Sequence, residues 1–434
     1  MPEKIKNFTK KNTFRTWFQA AFFALTNGYL SGFARGRIYT GKTKALCVPG
    51  LNCYSCPGAL YSCPIGSLQA VLTGPGFKLS CYVFGFLMAF GAVFGRLVCG
   101  WMCPFGLVQD LLYKIPLFRK IKNLPGHKYF NWLRFIVLAV LVLILPAAVR
   151  NFVGIGEPWF CEYLCPSGTL LAGIPLISAN AELRSVIGAL FSWKMAVLII
   201  IVLLSIKCYR PFCKYLCPLG AIYGLFNPVS FYRIKIDNEK CIRCGECSRA
   251  CNMGIDVLKK PNSMECIRCG ECMRACPKEA ITGTVKSSQG EQTGKRRTIV
   301  PVILIVTAAI LIAVGIFNGE VKTVIRKSTN ICMQCIGLDS GSALQKPAET
   351  APRGWTINCV TSEGSPVAGV RLQICSDTAC SMIETDENGT VIFDGKEKSY
   401  ELQLYKCPQG YEPVGSVPDN ITADNKNIVI TFKK

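Results

Sequence analysis

Histidine is almost missing from this chain, since His127 is the only one among 434 residues. A haem held by two imidazoles needs two histidines, so the chain alone cannot hold the haem of a cytochrome b-type quinol oxidase. Cys332 and Cys335 form a Cys-x-x-Cys pair, but Ile336 follows where a c-type haem site needs histidine. No Gly-x-Gly-x-x-Gly opens a strand–helix unit, which removes the usual NAD site. Haem is therefore not expected as a cofactor.

Acidic residues are scarce as well, with 27 Asp and Glu against 49 Lys and Arg, a formal net charge of +22. Residues 321–434 hold 12 basic and 13 acidic residues, so the excess lies in residues 1–320, which hold 37 and 14. There the basic residues gather between apolar segments, a pattern typical of cytoplasmic loops in membrane proteins. No basic–aromatic stripe accompanies them, so nucleic acid is not expected as a partner.

Hydrophobic residues make up 50% of the chain, and the mean hydropathy is +0.31. Residues 132–149, 186–206 and 299–317 are apolar segments with at most one charge each, close to the roughly 20 residues that span a bilayer. Residues 14–33 and 78–98 are weaker segments of the same kind. The sequence predicts a polytopic α-helical membrane protein with about five transmembrane helices.

The placement of basic residues also predicts the orientation in the membrane. The basic N-terminus is expected in the cytoplasm, and four helices return the chain to that side by about residue 208. The last helix would then export everything after residue 317. The sequence therefore predicts a multi-pass protein of a prokaryotic plasma membrane, in contact with lipid. Its soluble segment 207–297 would lie in the cytoplasm and its tail outside.

Cysteine is abundant, at 26 residues, and is densest in a tandem repeat. The repeat reads CIRCGECSRACN from residue 241 and CIRCGECMRACP from residue 266. In such runs three cysteines hold one [4Fe–4S] cluster and the fourth holds its neighbour, as in bacterial-type two-cluster ferredoxins. Zinc is the alternative, but zinc sites do not use eight cysteines in this doubled register. The predicted ligands are Cys241, Cys244, Cys247 and Cys276 for one cluster, and Cys251, Cys266, Cys269 and Cys272 for the other.

A second repeat, Cys-Pro-x-Gly, occurs four times near the ends of the apolar segments, from residues 63, 103, 165 and 217. Proline suits the first position of a helix, and a thiolate there lies at the positive end of the helix dipole. The predicted topology puts two cysteine pairs at the cytoplasmic side, where they could hold a membrane cluster. This inner quartet is Cys99, Cys103, Cys213 and Cys217.

The same topology places Cys56, Cys63, Cys161 and Cys165 near the outer face, with Cys47 and Cys53 as spares. Two interpretations stay open for these cysteines. They could hold a second membrane cluster, because their motifs copy the inner ones, or they could form disulfides, which an oxidising exterior permits. The sequence thus predicts two clusters in the tandem repeat and one or two further iron–sulfur clusters in the membrane domain.

Residues 78–281 resemble the membrane polyferredoxins, on the motifs GRLVCGWMCPFGLVQDL and FCKYLCPLGAIYGLF together with the tandem repeat. This family includes [4Fe–4S] membrane proteins of the NapH, NosR and CcoG types. The resemblance implies four core helices, paired Cys-x3-Cys-Pro motifs at the cytoplasmic face and electron transfer linked to an extracytoplasmic redox protein. The cysteines near the outer face and the exported tail depart from the NapH type.

The tail from about residue 355 consists of short strand-like segments bounded by Gly, Asn and Asp, such as WTINCV and NIVITF. EGSPVAGV and TDENGTVIFD resemble prealbumin-like (Cna B-type) domains, so the tail is predicted to be a β-sandwich that serves for docking. Its four cysteines are expected in structural disulfides. For Cys332 and Cys335 the choices are a redox-active disulfide, a metal site and a plain disulfide.

The expected function is electron transfer from a cytoplasmic donor, through [4Fe–4S] clusters, toward an extracytoplasmic acceptor, as a carrier or an oxidoreductase subunit. The donor would be a ferredoxin, a flavodoxin or a partner subunit, and a quinone is a further candidate partner. The alternatives are an extracytoplasmic metal or disulfide reductase of the assembly-factor kind, and a redox sensor. The predicted division is 1–230 membrane domain, 231–283 two-cluster ferredoxin domain, 284–298 linker, 299–317 fifth transmembrane helix, 318–354 outer linker and 355–434 β-sandwich.

Overall fold

A computed structural model describes most of the chain, including the tandem repeat and every Cys-Pro-x-Gly motif. The described residues are 2–74, 80–149, 156–180, 183–184, 187–284, 293–329, 336, 355–375, 380–393, 399–408, 410–414, 420–422 and 427–433. Cys332 and Cys335 lie outside the described residues, so their role stays a prediction.

Helices dominate the described part of residues 2–329. The α-helices are Pro2–Thr26, Leu30–Arg35, Pro64–Leu72, Cys81–Phe94, Leu97–Trp101, Pro104–Lys114, His127–Val137, Leu145–Ala148, Pro166–Gly168, Ile174–Ala179, Ala189–Lys207, Pro211–Tyr215, Pro218–Phe226, Glu246–Ala250, Glu271–Ala275, Thr293–Phe317 and Glu320–Thr329. A 3₁₀ helix covers Lys42–Ala45, and π-helical turns cover Leu138–Ile144, Phe160–Leu164 and Thr169–Gly173. Such π-helical turns are rare and occur mostly at functional sites.

Three helical segments among the described residues are long and apolar enough to cross a membrane: His127–Ala148, Ala189–Lys207 and Ile299–Phe317. They coincide with the three strongest apolar segments of the sequence. The shorter helix Cys81–Phe94 is apolar but has 14 residues. The structure therefore supports a membrane protein, and three of the about five predicted spans satisfy the criteria of length and composition.

The segment 14–33 differs from the single helix that the sequence predicts. It contains the end of helix Pro2–Thr26 and the start of helix Leu30–Arg35, with a break between them. Asn27 and Gly28 occupy the break, and Asn-Gly is a strong turn-forming pair. The turn chemistry of these two residues outweighs the apolar composition of the segment.

Helix Cys81–Phe94 packs closely against the last span. A Cβ atom on Gly85 would lie 2.7 Å from the Ala308 carbonyl oxygen, and one on Gly315 would lie 2.3 Å from the Tyr82 nitrogen. Small residues at these positions let two membrane helices approach each other. Because the start of one helix meets the end of the other, the two helices run antiparallel.

Each Cys-Pro-x-Gly motif begins a helix, as the sequence predicts. Pro64, Pro104, Pro166 and Pro218 stand in the first turn, and the preceding cysteine is the N-cap residue. The N–H groups of a first helical turn have no intrahelical partner, so they are free to donate to a nearby acceptor. The motif thus places four thiols at helix N-termini.

The tandem repeat folds into a small unit closed by a two-stranded sheet. Strands β1 (Arg233–Ile236) and β2 (Ile281–Thr284) pair antiparallel, which brings the two ends of the repeat together. In each Cys-x2-Cys loop an arginine adopts a left-handed conformation, with φ of 51° at Arg243 and 53° at Arg268. Such a φ is strained for a residue with a side chain and occurs mainly where a site demands it.

The tail forms two four-stranded sheets. Their strands are β3 (Trp355–Thr361), β4 (Arg371–Cys375), β5 (Cys380–Glu384), β6 (Thr390–Phe393), β7 (Ser399–Lys406), β8 (Glu412–Pro413), β9 (Asn420–Thr422) and β10 (Asn427–Lys433). The strand orders are β6-β3-β10-β8 and β5-β4-β7-β9, and β10 runs parallel to β3. Ile357 and Ile430 from one sheet share a hydrophobic core with Leu372 and Leu402 from the other.

Two cysteines of the tail do not form the disulfides that the sequence predicts. Cys359 and Cys407 are buried free thiols in the structure and interact electrostatically with each other. Burial raises the pKa of Cys359 to about 12. Cys375 and Cys380 are backbone partners in the register between β4 and β5.

The tandem-repeat unit lies directly on the helical domain. The Arg268 guanidinium donates to the Phe94 carbonyl at 2.7 Å and to the Asn227 carbonyl at 2.9 Å. The Asn227 side-chain amide donates in turn to the carbonyls of Ser263 and Cys266, at 2.8 Å each. These bonds join the second cysteine run to the helical domain through atoms that are mostly buried.

Gly100 lies at a tight contact between the helical domain and the tandem-repeat unit. A Cβ atom on Gly100 would lie 2.3 Å from the Ile267 carbonyl oxygen, so only glycine fits there. Gly100 follows Cys99 of the inner quartet, and Ile267 follows Cys266 of the second run. The contact therefore brings cysteines of the tandem repeat close to cysteines of the helical domain.

Replacing Gly100 with alanine is expected to loosen this contact, because the added methyl group would overlap a backbone oxygen. Amide hydrogens around Ile267 should then exchange several-fold faster, since local opening controls their exchange. Hydrogen–deuterium exchange on the detergent-purified chain measures the effect. Gly28→Ala is the control, because its Cβ atom would meet its nearest neighbour at an ordinary 3.4 Å. Equal exchange in both variants would contradict the docking described here.

Candidate metal centres

Two pockets in the tandem-repeat unit are each lined by four cysteines. One pocket is lined by Cys241, Cys244, Cys247 and Cys276, and the other by Cys251, Cys266, Cys269 and Cys272. Each set takes three cysteines from one run and the fourth from the other. These are the two sets that the sequence predicts as cluster ligands.

The second of these pockets is well shielded from solvent. Burial raises the pKa of the Cys266 and Cys272 thiols to about 12. Such thiols keep their protons at pH 7 unless a metal replaces them, because metal ligation requires the thiolate and releases the proton. The Arg268 N–H donates to the Cys266 sulfur at 3.4 Å, which would also stabilise a thiolate. The pocket thus fits a metal-containing group with cysteine ligands.

The inner quartet meets at one place in the helical domain. Cys217 interacts electrostatically with the other three thiols, and all four residues are at most 6% exposed. The Gln109 side-chain amide donates to the Cys213 sulfur at 3.1 Å. The Gly220 N–H, in the first turn of its helix, donates to the Cys217 sulfur at 3.4 Å. The helix start therefore supplies a donor to one sulfur, as expected for a Cys-Pro-x-Gly motif.

Buried arginines surround the inner quartet. Arg210 donates to the carbonyl of Cys99, and Arg96 donates to the carbonyl of Cys213 at 2.9 Å. Arg210 also forms a buried ion pair with Asp110. The arginines thus orient the backbone that carries the thiols and add positive charge beside them.

Arg134 is a buried cation beside the inner quartet, and its surroundings indicate the charge of the cofactor that this quartet could hold. It lies within the span His127–Ala148, is 1% exposed and interacts electrostatically with Cys217 and Cys99. Its Nε and Nη1 have no hydrogen-bond partner among the described residues. A buried cation in apolar surroundings is costly unless an anion neutralises it, and Glu265 already supplies one negative charge near Arg134. An iron–sulfur cluster with four thiolate ligands is anionic, so these residues fit one.

A second group of thiols, here called the outer quartet, consists of Cys53, Cys63, Cys161 and Cys165. Cys161 interacts electrostatically with the other three, and all four residues are at most 9% exposed. The sequence assigns Cys56 to this group and treats Cys53 as a spare. In the structure Cys53 interacts electrostatically with Cys161, while Cys56 and Lys44 both adjoin Cys53. An N–H···O bond of 3.1 Å closes the turn from Cys53 to Cys56, and the two residues belong to one buried cluster.

The outer quartet also has donors and a cation beside it. The N–H groups of Ser167 and Gly168, in the first turn after a Cys-Pro pair, donate to the Cys165 sulfur. Lys194 is 2% exposed, donates to the Cys161 carbonyl at 3.0 Å and interacts electrostatically with Cys165. Because Lys194 lies in the span Ala189–Lys207, an anionic group at the outer quartet would stabilise it in addition to Glu162, with which it interacts electrostatically.

A single metal ion and a [4Fe–4S] cluster place their cysteine ligands differently. Among the described residues, no group of three or more His, Cys, Asp and Glu side chains could hold one metal ion. Zinc draws its ligands to within about 2.0–2.3 Å of one ion. A [4Fe–4S] cluster is held by four cysteines around four irons, which leaves the sulfurs farther apart.

Sequence reasoning missed Arg134 and Lys194, although a signal was present. Each is the only charged residue of a long apolar segment, 132–149 and 186–206 respectively. A lone charge inside a membrane span usually marks a functional site. No comparable signal in the sequence distinguishes Cys53 from Cys56.

Two family models match the chain. The first, described as a 4Fe-4S binding domain, matches residues 82–125, 132–179 and 190–237, and the second, a 4Fe-4S dicluster domain, matches residues 233–277. Each of the first three matches contains one Cys-x3-Cys-Pro motif, including the one formed by Cys161 and Cys165. These matches support iron–sulfur clusters as cofactors. No solved structure shows a significant match to the chain.

Similar proteins occur in archaea and bacteria. An uncharacterized protein of Methanocaldococcus jannaschii is 34% identical over 194 residues, which is 44% of this chain and 72% of that protein. The methylamine utilization ferredoxin-type protein MauN of Methylobacillus flagellatus is 29% identical, over 43% of this chain and 60% of its own length. The ferredoxin-type protein NapH of Haemophilus influenzae is 30% identical, over 40% and 54% respectively. The chain thus spans less than two thirds of the last two proteins.

The resemblance expected from the Cys-Pro motifs and the tandem repeat is confirmed, while the prealbumin-like assignment of the tail stays a prediction. The matched segments cover the helical domain and the tandem-repeat unit. The chain belongs to the polyferredoxin family of 4Fe-4S proteins.

Proposed function

We propose that the chain is a membrane iron–sulfur protein that carries electrons from a cytoplasmic donor toward an extracytoplasmic acceptor. The observation that supports it most is the sequence of four cysteine sets: two in the tandem-repeat unit, then the inner quartet, then the outer quartet. Each [4Fe–4S] cluster, when bound, takes up or releases one electron. The apolar core of a bilayer is about 30 Å thick, which favours intermediate sites over a single transfer.

The contacts between the cysteine sets support this order. The second pocket of the tandem-repeat unit adjoins the inner quartet through Ile267 and Gly100. Arg15 interacts electrostatically with Cys269 and pairs with Asp110, which in turn pairs with Arg210 beside the inner quartet. Arg15, Asp110 and Arg210 thus place a chain of ion pairs between the surroundings of the two cysteine sets.

In this proposal the ligands of the outer cluster are the outer quartet, with Cys53 in the place that the sequence gives to Cys56. The tandem repeat would hold two clusters and the helical domain two more. The chain would be divided as the sequence predicts, into 1–230, 231–283, 284–298, 299–317, 318–354 and 355–434.

The partners follow from the proposed orientation, with the tandem-repeat unit in the cytoplasm and the tail outside. The donor would be a ferredoxin, a flavodoxin or a partner subunit, and a quinone is a further candidate. The tail, as a β-sandwich, would dock the acceptor. Ile336, which follows the Cys332–Cys335 pair, is buried in a hydrophobic cluster with Cys53 and Cys56, so this pair is a candidate electron exit.

The alternatives, a metal or disulfide reductase and a redox sensor, are less well supported. A reductase would let its outer cysteines meet a substrate. The outer quartet is at most 9% exposed, and Cys56 is fully buried. This burial favours a relay of electrons over direct reaction with an external substrate.

Cys53→Ser and Cys56→Ser form a matched pair that tests the outer quartet. Cys53→Ser should lower the bound iron by about four atoms per chain, the content of one cluster, because serine replaces a ligand. Cys56→Ser should leave the iron content unchanged, because in this proposal Cys56 lies outside the outer quartet. Iron and sulfide are quantified on anaerobically purified protein. Loss of iron from Cys56→Ser alone would assign the ligand to Cys56, and loss from neither would contradict an outer cluster.

Lys194→Met should lower the reduction potential of the cluster signal that Cys53→Ser removes. Without the ammonium group, the extra electron of the reduced cluster loses a favourable charge interaction. The expected shift is roughly 60 mV or more, the one-electron equivalent of about 1.4 kcal/mol. EPR-monitored redox titration measures it.

Lys207→Met is the matched control for this variant, because Lys207 ends the same helix but its side chain is exposed. Its titration should coincide with that of the unmodified chain. An unshifted or raised potential in Lys194→Met would show that Lys194 does not act on the outer quartet.

A further inference from the structure

Tyr223 belongs to the buried cluster that contains cysteines of both quartets of the helical domain. It is fully buried and interacts electrostatically with Cys99 and Cys103 of the inner quartet and with Cys63 of the outer quartet. Its hydroxyl donates to the Pro49 carbonyl at 3.0 Å. One aromatic side chain therefore lies between the two quartets and holds the loop that begins at Pro49.

Consecutive amides of this loop bind one sulfur from each quartet. The Leu51 N–H donates to the Cys103 sulfur of the inner quartet. The next residue, Asn52, donates its N–H to the Cys63 sulfur of the outer quartet. Leu51 and Asn52 are neighbours in the chain, with Cα atoms about 3.8 Å apart. The path from one quartet to the other therefore consists of two hydrogen bonds and the peptide unit between them.

The loop fits tightly against the inner quartet. A Cβ atom on Gly50 would lie 3.0 Å from both the Cys103 Cα atom and the Met102 carbonyl oxygen. Glycine at this position lets the backbone approach Cys103 closely enough for the Leu51 N–H to reach the sulfur. The position of residues 49–52 is thus fixed from both sides, by Tyr223 and by the helix start at Cys103.

The Asn52 side chain is a second, independent sign that something is bound here. It is fully buried, and neither its Nδ2 nor its Oδ1 has a hydrogen-bond partner among the described residues. Burying an amide without partners is unfavourable. Cluster sulfide and cysteine sulfur beside Cys63 would give this amide an acceptor.

We infer that residues 49–52 form a bridge segment that couples the inner and outer quartets into one electronically connected pair. The inference rests on the proposed function, since it needs a cluster at each quartet. One electron moves across the bridge segment: the site that gives it is oxidised by one electron and the site that takes it is reduced by one. No proton moves and no covalent bond changes. Tyr223 acts as a positioning residue, because it holds the bridge segment and binds no cluster.

Pulsed EPR on the purified, reduced full-length chain tests the bridge segment. Two coupled clusters enhance each other's spin relaxation and split each other's signals. The unmodified chain should show both effects, and they should disappear from the outer signal in Cys103→Ser, which lacks an inner ligand. Gly50→Ala and Tyr223→Phe should keep their iron but slow the relaxation of the outer signal at least twofold, because each displaces the bridge segment.

Tyr82→Phe is the matched control, since the Tyr82 hydroxyl also donates to a backbone carbonyl at 3.0 Å, that of Ala45, away from the bridge segment. Its relaxation should equal that of the unmodified chain. About sixteen irons with two magnetically independent membrane signals would overturn the bridge and leave the proposed function intact. Relaxation unchanged in both Gly50→Ala and Tyr223→Phe would also overturn it. Fewer than about sixteen irons in the unmodified chain would overturn the proposed function, and the bridge with it.

Discussion

Positive charge buried inside apolar helices is the constraint on which the helical domain depends. Arg134 and Lys194 each lie within a candidate membrane span, and each is at most 2% exposed. A cation at such a position is stabilised by anionic groups nearby, and Glu265 interacts with Arg134 as Glu162 does with Lys194. Each of these two residues adjoins a quartet of thiols that are neutral when free and become thiolates when they bind metal. Cofactor binding and stability of the membrane domain are therefore expected to depend on each other.

The Cys-Pro-x-Gly motif supplies the second part of this electrostatic design. Proline begins the helix without the loss of a hydrogen bond, and the preceding thiol sits where unpaired N–H groups point. The donors at Cys165 and Cys217 are such N–H groups. A helix N-terminus stabilises a nearby negative charge by about 0.3–1 kcal/mol, and more when partly buried. Four copies of one motif thus prepare two sites for anionic groups within one small domain.

Much of this arrangement could be predicted from the sequence, because it depends on local spacing. The two cysteine sets of the tandem repeat follow from the doubled register, and the helix starts follow from proline after cysteine. The strongest apolar segments became helices long enough to span a membrane. These features need no knowledge of distant contacts.

The features that the sequence did not predict depend on turns and on contacts between distant residues. Asn27 and Gly28 break a segment whose composition favours one helix. Cys53, which the sequence treats as a spare, lies near Cys161. The contact of Gly100 with Ile267, and the position of Tyr223 between the quartets, join residues more than 100 positions apart.

The central claim is that four cysteine sets hold four clusters. Iron and acid-labile sulfide, quantified together with Mössbauer spectroscopy on anaerobically purified chain, test it most directly. Four [4Fe–4S] clusters predict about sixteen irons per chain, all in cubane environments. About eight irons, confined to the tandem repeat, would contradict the claim and leave the thiols of the helical domain without a cofactor.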